Sequence, residues 1–570
     1  MDGQMFDILT RPTINSEMHL RIVWILQLLI VNFARSEDRR SNILFIIVDD
    51  LRTSLGCYGD AKAYTPNVDR LAQQSVLFQR AYAQQALCAP SRNSLLTSRR
   101  PDTLGLYDFY SYWRDVAGNF TTLPQHLKDN GYTTASFGKV FHPGASCNHS
   151  DDSPFSWSKK PFHPYTERYK DAPLCPSRNA PPADNLVCPI NVSSMPNATL
   201  PDIETLEAAK RFLNEDNKRP FFLAVGFQKP HIPLKYPKQF LKFHPLHKFS
   251  VPSNYKWPEN ISSVAYNPWT DLRRRKDVVE LGLKCPWQSI PRKYARRIIQ
   301  SYYAAVSFVD DLIGQILNEL HLLKISDKTV TILTSDHGWS LGEHAEWAKY
   351  SNFEVSVRVP LIISIPDMTF GKNSGLCADG TMNFRAESQN LSGPFLSQCK
   401  NNRIVNTPVE LLDVFPTLAE LADAPIPKCQ RNQSNKSMLN TCSEGTSLVS
   451  LITSTRKSQS STLEKFAISQ YPRPGLEPKC EPSSDEPRLR EISIMGYTLR
   501  TVQYRYTAWV EFSPVSKNAN WKKILAEELY NHYSDPDENS NLANFEYFGE
   551  IKSGLKHKLI RRLRDNIFSP

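Results

Sequence analysis

Beyond its N-terminal region, the chain opens on an apolar run without alternation. Ile43, Leu44, Phe45, Ile46, Ile47 and Val48 follow one another within Asn42 to Val48. A strand with one wet face alternates, so this run predicts a strand buried on both faces. Asp49 and Asp50 end it. Thr65-Pro66 then opens a predicted helix, because proline suits a first helical turn, with Val68, Leu71, Ala72 and Ser75 on one side. Similar apolar strands recur at Thr133–Phe137, Phe221–Val225, Thr329–Leu333 and Pro360–Ile365. Helical stretches such as Asp202–Leu213 and Ala295–Leu320 lie between them. This alternation predicts an α/β fold: a large, mostly parallel sheet with helices on both faces.

The pattern changes late in the chain. Residues 428–463 are rich in Ser, Asn, Lys and Gln and read as an exposed connection open to proteolysis. Ile492–Arg500 and Tyr504–Phe512 then form two strand-like runs close enough for a hairpin, and a helix from about Leu555 closes the chain. At 570 residues the chain exceeds one ordinary core. The expected division is a catalytic domain over 37–445, a linker over 446–463 and a smaller C-terminal α+β domain over 464–570 with an antiparallel sheet.

Residues 1–36 read differently. Ile22 to Val31 is apolar except for Gln27, Arg21 precedes it, and Ala34 and Ser36 follow. The run is too short for a bilayer, which needs about twenty residues, and fits the core of a signal peptide, with Met18 as an alternative start. No other segment reads as a transmembrane anchor. Eight Asn-x-Ser/Thr sites (Asn119, Asn148, Asn191, Asn197, Asn260, Asn390, Asn432 and Asn435) and eleven cysteines agree with an oxidising secretory route. Cys175/Cys188 and Cys429/Cys442 each enclose a short polar loop, the layout of a local disulfide; the odd total leaves at least one cysteine outside any intramolecular pair. The net charge of +10 suits a polyanionic partner. Nucleic acid is not expected, because no finger, helix-turn-helix or RNA-binding signature accompanies that charge.

Reactive side chains gather after the predicted strands, where open α/β sheets bind ligands. Asp49-Asp50 follows the first strand, Lys139 and His142 the second, Lys229 and His231 the third, and Asp336-His337 the fourth. Adjacent carboxylates repel unless a cation lies between them, and three carboxylates with few nitrogen ligands favour a hard ion, Ca²⁺ before Mg²⁺. A lone Asp pair would more often be a cap or a turn; four such strand ends together point to a site. Cys88-Ala-Pro-Ser-Arg92 places a cysteine where Pro90 can start a helix, so backbone N–H groups and Arg92 would favour an anion there. For an average cysteine in such a protein, a disulfide would be the commoner fate.

Cys88-Ala-Pro-Ser-Arg92 with Leu96-Thr97 resembles the sulfatase signature, and the resemblance extends over nearly the whole mature chain. It implies an alkaline-phosphatase-like fold and hydrolysis of a sulfate ester. It also implies that Cys88 is oxidised to formylglycine by the formylglycine-generating enzyme. Asp49, Asp50, Asp336 and His337 match the family's metal ligands, with the residue at 88 completing the set around one Ca²⁺. Arg92, Lys139, His142, His231 and Lys349 match its charged active-site positions. Ser98 departs from the family pattern, which usually has Gly there.

Longer segments resemble one branch of the family. They are Tyr107 to Arg114, Ala265 to Trp269, Ser335 to Trp339, Gly342 to Tyr350 and Ser469 to Pro474. That resemblance implies a lysosomal enzyme acting on the 2-sulfate of a terminal iduronate in heparan sulfate and dermatan sulfate. Lys229, Trp339, Trp347 and Arg473 are the expected substrate-binding residues, Arg473 gripping a carboxylate or serving as an ion-pair partner at the domain contact. In the implied mechanism the metal polarises the sulfate, Lys139, Lys349 and Arg92 meet developing charge, and His231, or else Lys349, protonates the leaving oxygen. Two other readings stand beside it: a related sulfatase or phosphonate hydrolase on the same fold, and a catalytically silent glycan-binding protein.

Overall fold

The structure, a computed structural model, describes residues 40–176, 181–369, 403–430, 440–454, 465–481 and 484–566. The expected signal peptide over 1–36 lies outside these residues, as do Cys377, Cys399 and three of the eight glycosylation motifs. The other five asparagines, Asn119, Asn148, Asn191, Asn197 and Asn260, are all exposed. No helix among the described residues is long and apolar enough to cross a membrane.

The main sheet is built from β1 (Asn42–Val48), β2 (Val76–Tyr82), β3 (Thr133–Gly138), β4 (Phe221–Phe227), β5 (Thr329–Ser335), β6 (Arg358–Ser364) and β7 (Arg403–Val405). Their order is β7-β2-β6-β5-β1-β4-β3, with Val409–Glu410 adding an eighth short strand beside β2. β1 lies at the centre, parallel to β4 and β5, and β3 runs parallel to β4. β6 is antiparallel to both its neighbours. The mostly parallel sheet is therefore as expected, with one reversed strand inside it. β1 faces two cores. Leu44, Ile46 and Val48 pack into one, and Ile43, Phe45 and Ile47 into the other. Burying each such side chain contributes roughly 1.5–3 kcal/mol, which is why this run tolerates no alternation.

The first core is covered by helices α1 (Pro66–Gln73), α3 (Pro201–Leu213) and α4 (Arg292–Leu322), the second by α2 (Cys88–Thr97) among others. Asp310 of α4 caps the start of α1, accepting from Asn67 N at 3.2 Å and Val68 N at 2.8 Å. α2 is buried along its whole length and ends at Ser98, which sits in the left-handed region at φ 51°. That conformation explains why glycine is usual there. Here the Ser98 hydroxyl is tied to Leu412 O at 2.6 Å and to Ser443 Oγ at 2.7 Å.

The C-terminal sheet is a four-stranded antiparallel meander of β8 (Ala467–Arg473), β9 (Ile494–Arg500), β10 (Tyr504–Ser513) and β11 (Asn518–Asn531). The predicted hairpin is β9–β10, paired from Ile494↔Glu511 to Arg500↔Arg505. Helix α5 (Gly549–Asn566) packs Leu555, Leu559 and Leu563 against it and starts earlier than the expected Leu555. Within the expected linker, Val449–Ser454 form a short helix with Leu451 and Ile452 buried, while 455–463 lie outside the described residues. Cys175–Cys188 and Cys429–Cys442 are disulfides. Cys285 and Cys480 form a third, 195 residues apart, which the sequence reading missed. Charged contacts join this sheet to the catalytic part. Arg500 Nε meets Glu354 Oε2 at 3.0 Å, and Glu538 Oε2, on a carboxylate held within the C-terminal part by Arg505, accepts from Glu354 N at 2.8 Å.

The interior holds several carboxyls that burial keeps protonated near neutrality. Burial lifts Asp310 to about 7 and Glu346 to about 8; burial and then the charge of Asp271 lift Asp485 to about 7. In the unfolded chain such groups titrate near about 4, so between pH 4 and 7 the folded state holds more protons than the unfolded one. These carboxyls therefore add stability as pH falls through that window, while the buried His142, His231, His244 and His337, held below the ordinary histidine value, work against it below about pH 6.5. Glu354 works in the opposite sense, since Arg500 overcomes burial and draws it down to about 2. Its contribution is present above about pH 4 and is lost only toward pH 2, so it does not cancel the gain. In Glu346→Gln the Tm at pH 5 minus the Tm at pH 7.5 should be smaller than in the unaltered protein; an equal difference in thermal melts would contradict the assignment of Glu346.

Candidate active site

The carboxyl ends of β1, β3, β4 and β5 converge on the first turn of α2. β1 delivers Asp49 and Asp50, with Asp50 held at φ 60°, a strained conformation for a residue other than glycine. Its N–H donates to Asp336 Oδ1 at 3.1 Å, which locks the β1 and β5 ends together. β3 delivers Lys139, and two glycines make its approach possible. A Cβ on Gly226 would lie 2.0 Å from Lys139 O, and Gly138 has φ +75° and would place a Cβ 2.2 Å from Gly226 O. Lys139 N accordingly reaches Gly226 O at 2.9 Å.

Cys88, the first residue of α2, is buried and unpaired. Its Sγ lies 3.1 Å from Lys349 Nζ, 3.3 Å from His337 Nε2, 3.5 Å from Asp49 Oδ1 and 3.6 Å from Lys139 Nζ. Lys139 Nζ meets Asp49 Oδ2 at 2.5 Å, and Lys349 Nζ meets Asp50 Oδ1 at 3.0 Å. Arg92 bridges Asp336 Oδ2 at 2.8 Å and Asp49 Oδ1 at 3.1 Å. Three buried carboxylates thus face three buried cations around one sulfur.

This field sets the protonation states. Burial and the Asp49 carboxylate push the Cys88 thiol up to about 12, so the encoded side chain is neutral and a weak nucleophile. Burial works against Asp49, yet Lys139, His231 and Arg92 hold it well below the usual carboxylate range. Burial, followed by the charges of Asp49 and Asp336, lifts Asp50 to about 7 although Lys349 opposes it. Lys349 resists burial because Asp50 and Cys88 favour its charge, and it stays well above its ordinary value. Burial, then Lys170 and Lys349, hold His231 well below the ordinary histidine value.

The donor set fits a hard cation. His337 Nδ1 lies 3.0 Å from Gly338 O and donates to it, which leaves Nε2 as an acceptor 3.3 Å from Cys88 Sγ and 3.4 Å from Asp50 Oδ1. His231 Nδ1 likewise donates to Ile232 O at 2.6 Å, with Nε2 3.9 Å from Asp50 Oδ2. Asp50 Oδ2 itself is buried with no hydrogen-bond partner. Ligand atoms of Asp49, Asp50, Cys88 and His337 lie within 4.8 Å of one another. Asp336 borders this group, with one oxygen turned to Arg92. A second such group, Glu354, His532 and Glu538, already has its carboxylates neutralised by Arg500 and Arg505.

The chain belongs to the sulfatase family.

A profile of that family, described as Sulfatase, matches residues 41–424. The chain is 47% identical over 526 residues to a mouse protein named iduronate 2-sulfatase, covering 91% of this chain and 93% of that one. It is 45% identical over 533 residues to the human protein of the same name, covering 91% and 94%. A solved phosphonate monoester hydrolase of Agrobacterium radiobacter superposes with a TM-score of 0.65 at 19% identity, covering 93% of this chain and 96% of that one. That likeness establishes the alkaline-phosphatase-like fold alone. The enzyme is a sulfuric ester hydrolase.

The structure gathers Cys88, Arg92, Lys139, His231, Lys349 and all four metal-ligand candidates; His142 and Trp339 border that core, and Lys229, Trp347 and Arg473 are engaged elsewhere. His142 stacks on Phe109 at 4.4 Å, and burial and Lys139 hold it well below its usual pKa. The Trp339 ring lies 5.8 Å from Lys349 Nζ. Trp347 is fully buried edge-on to Tyr255. Lys229 Nζ donates to His231 O and Pro233 O, which shapes the loop that carries His231. Arg473 is 3% exposed and donates to Val264 O at 3.0 Å and Tyr350 O at 2.7 Å, so a carboxylate would have to displace those bonds. Sequence reasoning missed Asn267. Its Nδ2 donates to Trp347 O at 2.8 Å and to Lys349 O, and its N–H donates to Glu346 at 2.5 Å. Its only signal was its place in the Ala265 to Trp269 segment.

Proposed function

We propose that the enzyme removes the 2-sulfate of a terminal L-iduronate in heparan sulfate and dermatan sulfate. In this reading Cys88 is converted to formylglycine by the formylglycine-generating enzyme during passage through the secretory pathway, and the protein works in the lysosome. The observation that carries the reading is Cys88 itself, a buried, unpaired and neutral thiol at the centre of three carboxylates and three cations. A thiol held neutral cannot serve as the nucleophile, whereas a hydrated aldehyde at the same position offers one hydroxyl for attack and a second for product release. The substrate assignment is supported by the two relatives named iduronate 2-sulfatase, matched over nearly their full lengths. Exposure of the five described glycosylation motifs agrees with the secretory route.

Asp49, Asp50, Asp336 and His337, with the residue at 88, would hold one Ca²⁺. The ion would supply Lewis-acid polarisation of the sulfate and help ionise the nucleophile. The side chains do the rest. Lys349 and Lys139 approach the reacting position from two sides and meet charge developing on the sulfate oxygens. Arg92 stands behind Asp49 and Asp336 and pairs with both. His231 is the assigned proton donor to the leaving oxygen, with Lys349 second. An anionic substrate offsets the cations that depress His231, and so favours its protonation once the site is filled.

Two measurements on protein from a eukaryotic secretory host test this. The mass of the peptide containing Cys88 should be that of formylglycine; an unmodified or disulfide-bonded Cys88 would refute the mechanism and favour a silent glycan binder. Partial conversion would implicate Ser98, and Ser98→Gly should then raise it. Turnover on a panel of sulfated saccharides, an aryl sulfate and a phosphonate monoester should be fastest on 2-sulfated iduronate.

A further inference from the structure

Against the loop that carries His231 lies a cleft lined by three lysines and several neutral polar side chains. Thr166, Lys170, Gln228, Lys229 and Lys235 contribute to it, and Asp202 is its single carboxylate. Asp202 is already occupied, accepting from Gln228 N at 2.6 Å and Lys229 N at 3.2 Å. Lys229 Nζ is committed to the carbonyls of His231 and Pro233, and Lys235 Nζ to those of Tyr169 and Lys170 at 2.9 and 3.1 Å.

Three polar groups there have no such commitment. Gln228, 6% exposed, has an Nε2 with no hydrogen-bond partner, and Thr166, 4% exposed, has an Oγ1 with none. Lys170, half-buried, makes no side-chain hydrogen bond or ion pair among the described residues. The neighbouring acid, Asp171, is paired with Arg275 at 2.8 Å. Leaving buried donors unpaired costs about 1–3 kcal/mol each, and an incoming anion would remove that cost. Lys170 also lies within the field of the catalytic cluster. Burial and the like charge of Lys139 draw its ammonium below the ordinary lysine value, and after burial Lys170 is the strongest influence on His231.

We propose that Lys170, Gln228 and Thr166 form a second anion subsite beside the reacting sulfate, which binds another anionic group of the same glycan, either the uronate carboxylate or a sulfate on the next sugar. This rests on the proposed glycan substrate and names a contact within it. Lys170 is the specificity-determining charge, because the other two lysines are held by backbone.

Lys170→Gln and Lys170→Arg should be compared with the unaltered enzyme on four substrates. These are an aryl sulfate, the methylumbelliferyl glycoside of 2-sulfated iduronate, and two disaccharides ending in 2-sulfated iduronate, one followed by N-acetylglucosamine and one by N-sulfoglucosamine. Lys170→Gln should raise KM about tenfold on a substrate that fills the subsite, a change worth about 1.4 kcal/mol. On the aryl ester, which lacks a second anion, the rise should be several-fold smaller, and Lys170→Arg should restore most of the affinity. A loss already present with the glycoside assigns the carboxylate; a loss confined to the N-sulfated disaccharide assigns the neighbouring sulfate. Equal losses on the aryl ester and the saccharides, or no loss on any, would overturn the subsite. An unaltered enzyme that cleaves the aryl ester but no iduronate substrate would instead overturn the substrate assignment itself.

Discussion

Cys88→Ser should fold normally and lose turnover by about 10⁴-fold or more, the scale expected when a nucleophile is removed. Serine fits the position: the residue starts a helix that is buried throughout, and its neighbours lie at distances a hydroxyl can meet. A serine oxygen beside Lys349 could still attack sulfur. Its sulfate ester would then have no second hydroxyl with which to expel the sulfate, so each chain would stop after one event. Steady-state rates together with the mass of the intact variant after exposure to substrate check this. The expected result is negligible turnover, with at most one sulfate retained per chain. A variant turning over within tenfold of the unaltered enzyme would show that position 88 does not carry the reaction.

Asp49→Asn should reduce kcat/KM by about 10³-fold, near the upper end for losing one preorganised group at a reacting centre. Asp49 is the shared counterion of Lys139 at 2.5 Å and Arg92 at 3.1 Å, and one oxygen lies 3.5 Å from Cys88 Sγ. Asparagine keeps the shape and removes the charge. Two buried cations then share two carboxylates with Lys349, and a dication is held less well. Metal analysis of the folded protein should therefore show reduced bound metal alongside the rate loss. Near-normal activity with metal still bound would mean that the β1 carboxylates are not the centre of the site. Asp336→Asn should behave alike, because Arg92 Nε pairs with it at 2.8 Å.

The strands that could be read from the sequence were those buried on both faces. β1 and β4 are short apolar runs, β3 and β5 mix apolar residues with Thr and Ser, and the chemistry follows each of them directly, so the site could be read with them. β2 and β11 were missed for opposite reasons. β2 carries Gln79 and Arg80 in its middle, which interrupts the apolar run. β11 is long and mostly half-exposed, with Lys522, Lys523, Glu527 and Glu528 masking its pairing with β10. Lys170 and Asn267 escaped notice because neither lies at a strand end; only the folded chain brings them to the His231 and Lys349 loops. Arg473 stood in a conspicuous segment, but a sequence does not reveal that its donors face carbonyls.

The Cys285–Cys480 bond has a consequence for what happens to the chain after synthesis. It joins a loop ahead of α4 to the C-terminal sheet region, across the Ser- and Thr-rich stretch at 455–463. Any protease that cuts between residues 285 and 480 therefore leaves a two-chain molecule still linked covalently. Such a cut would go unseen on a non-reducing gel and release two fragments on reduction. The C-terminal sheet that holds Glu354 and the Lys349 loop could then be nicked free in sequence without being lost from the enzyme, the disulfide adding a covalent tie to the buried contacts.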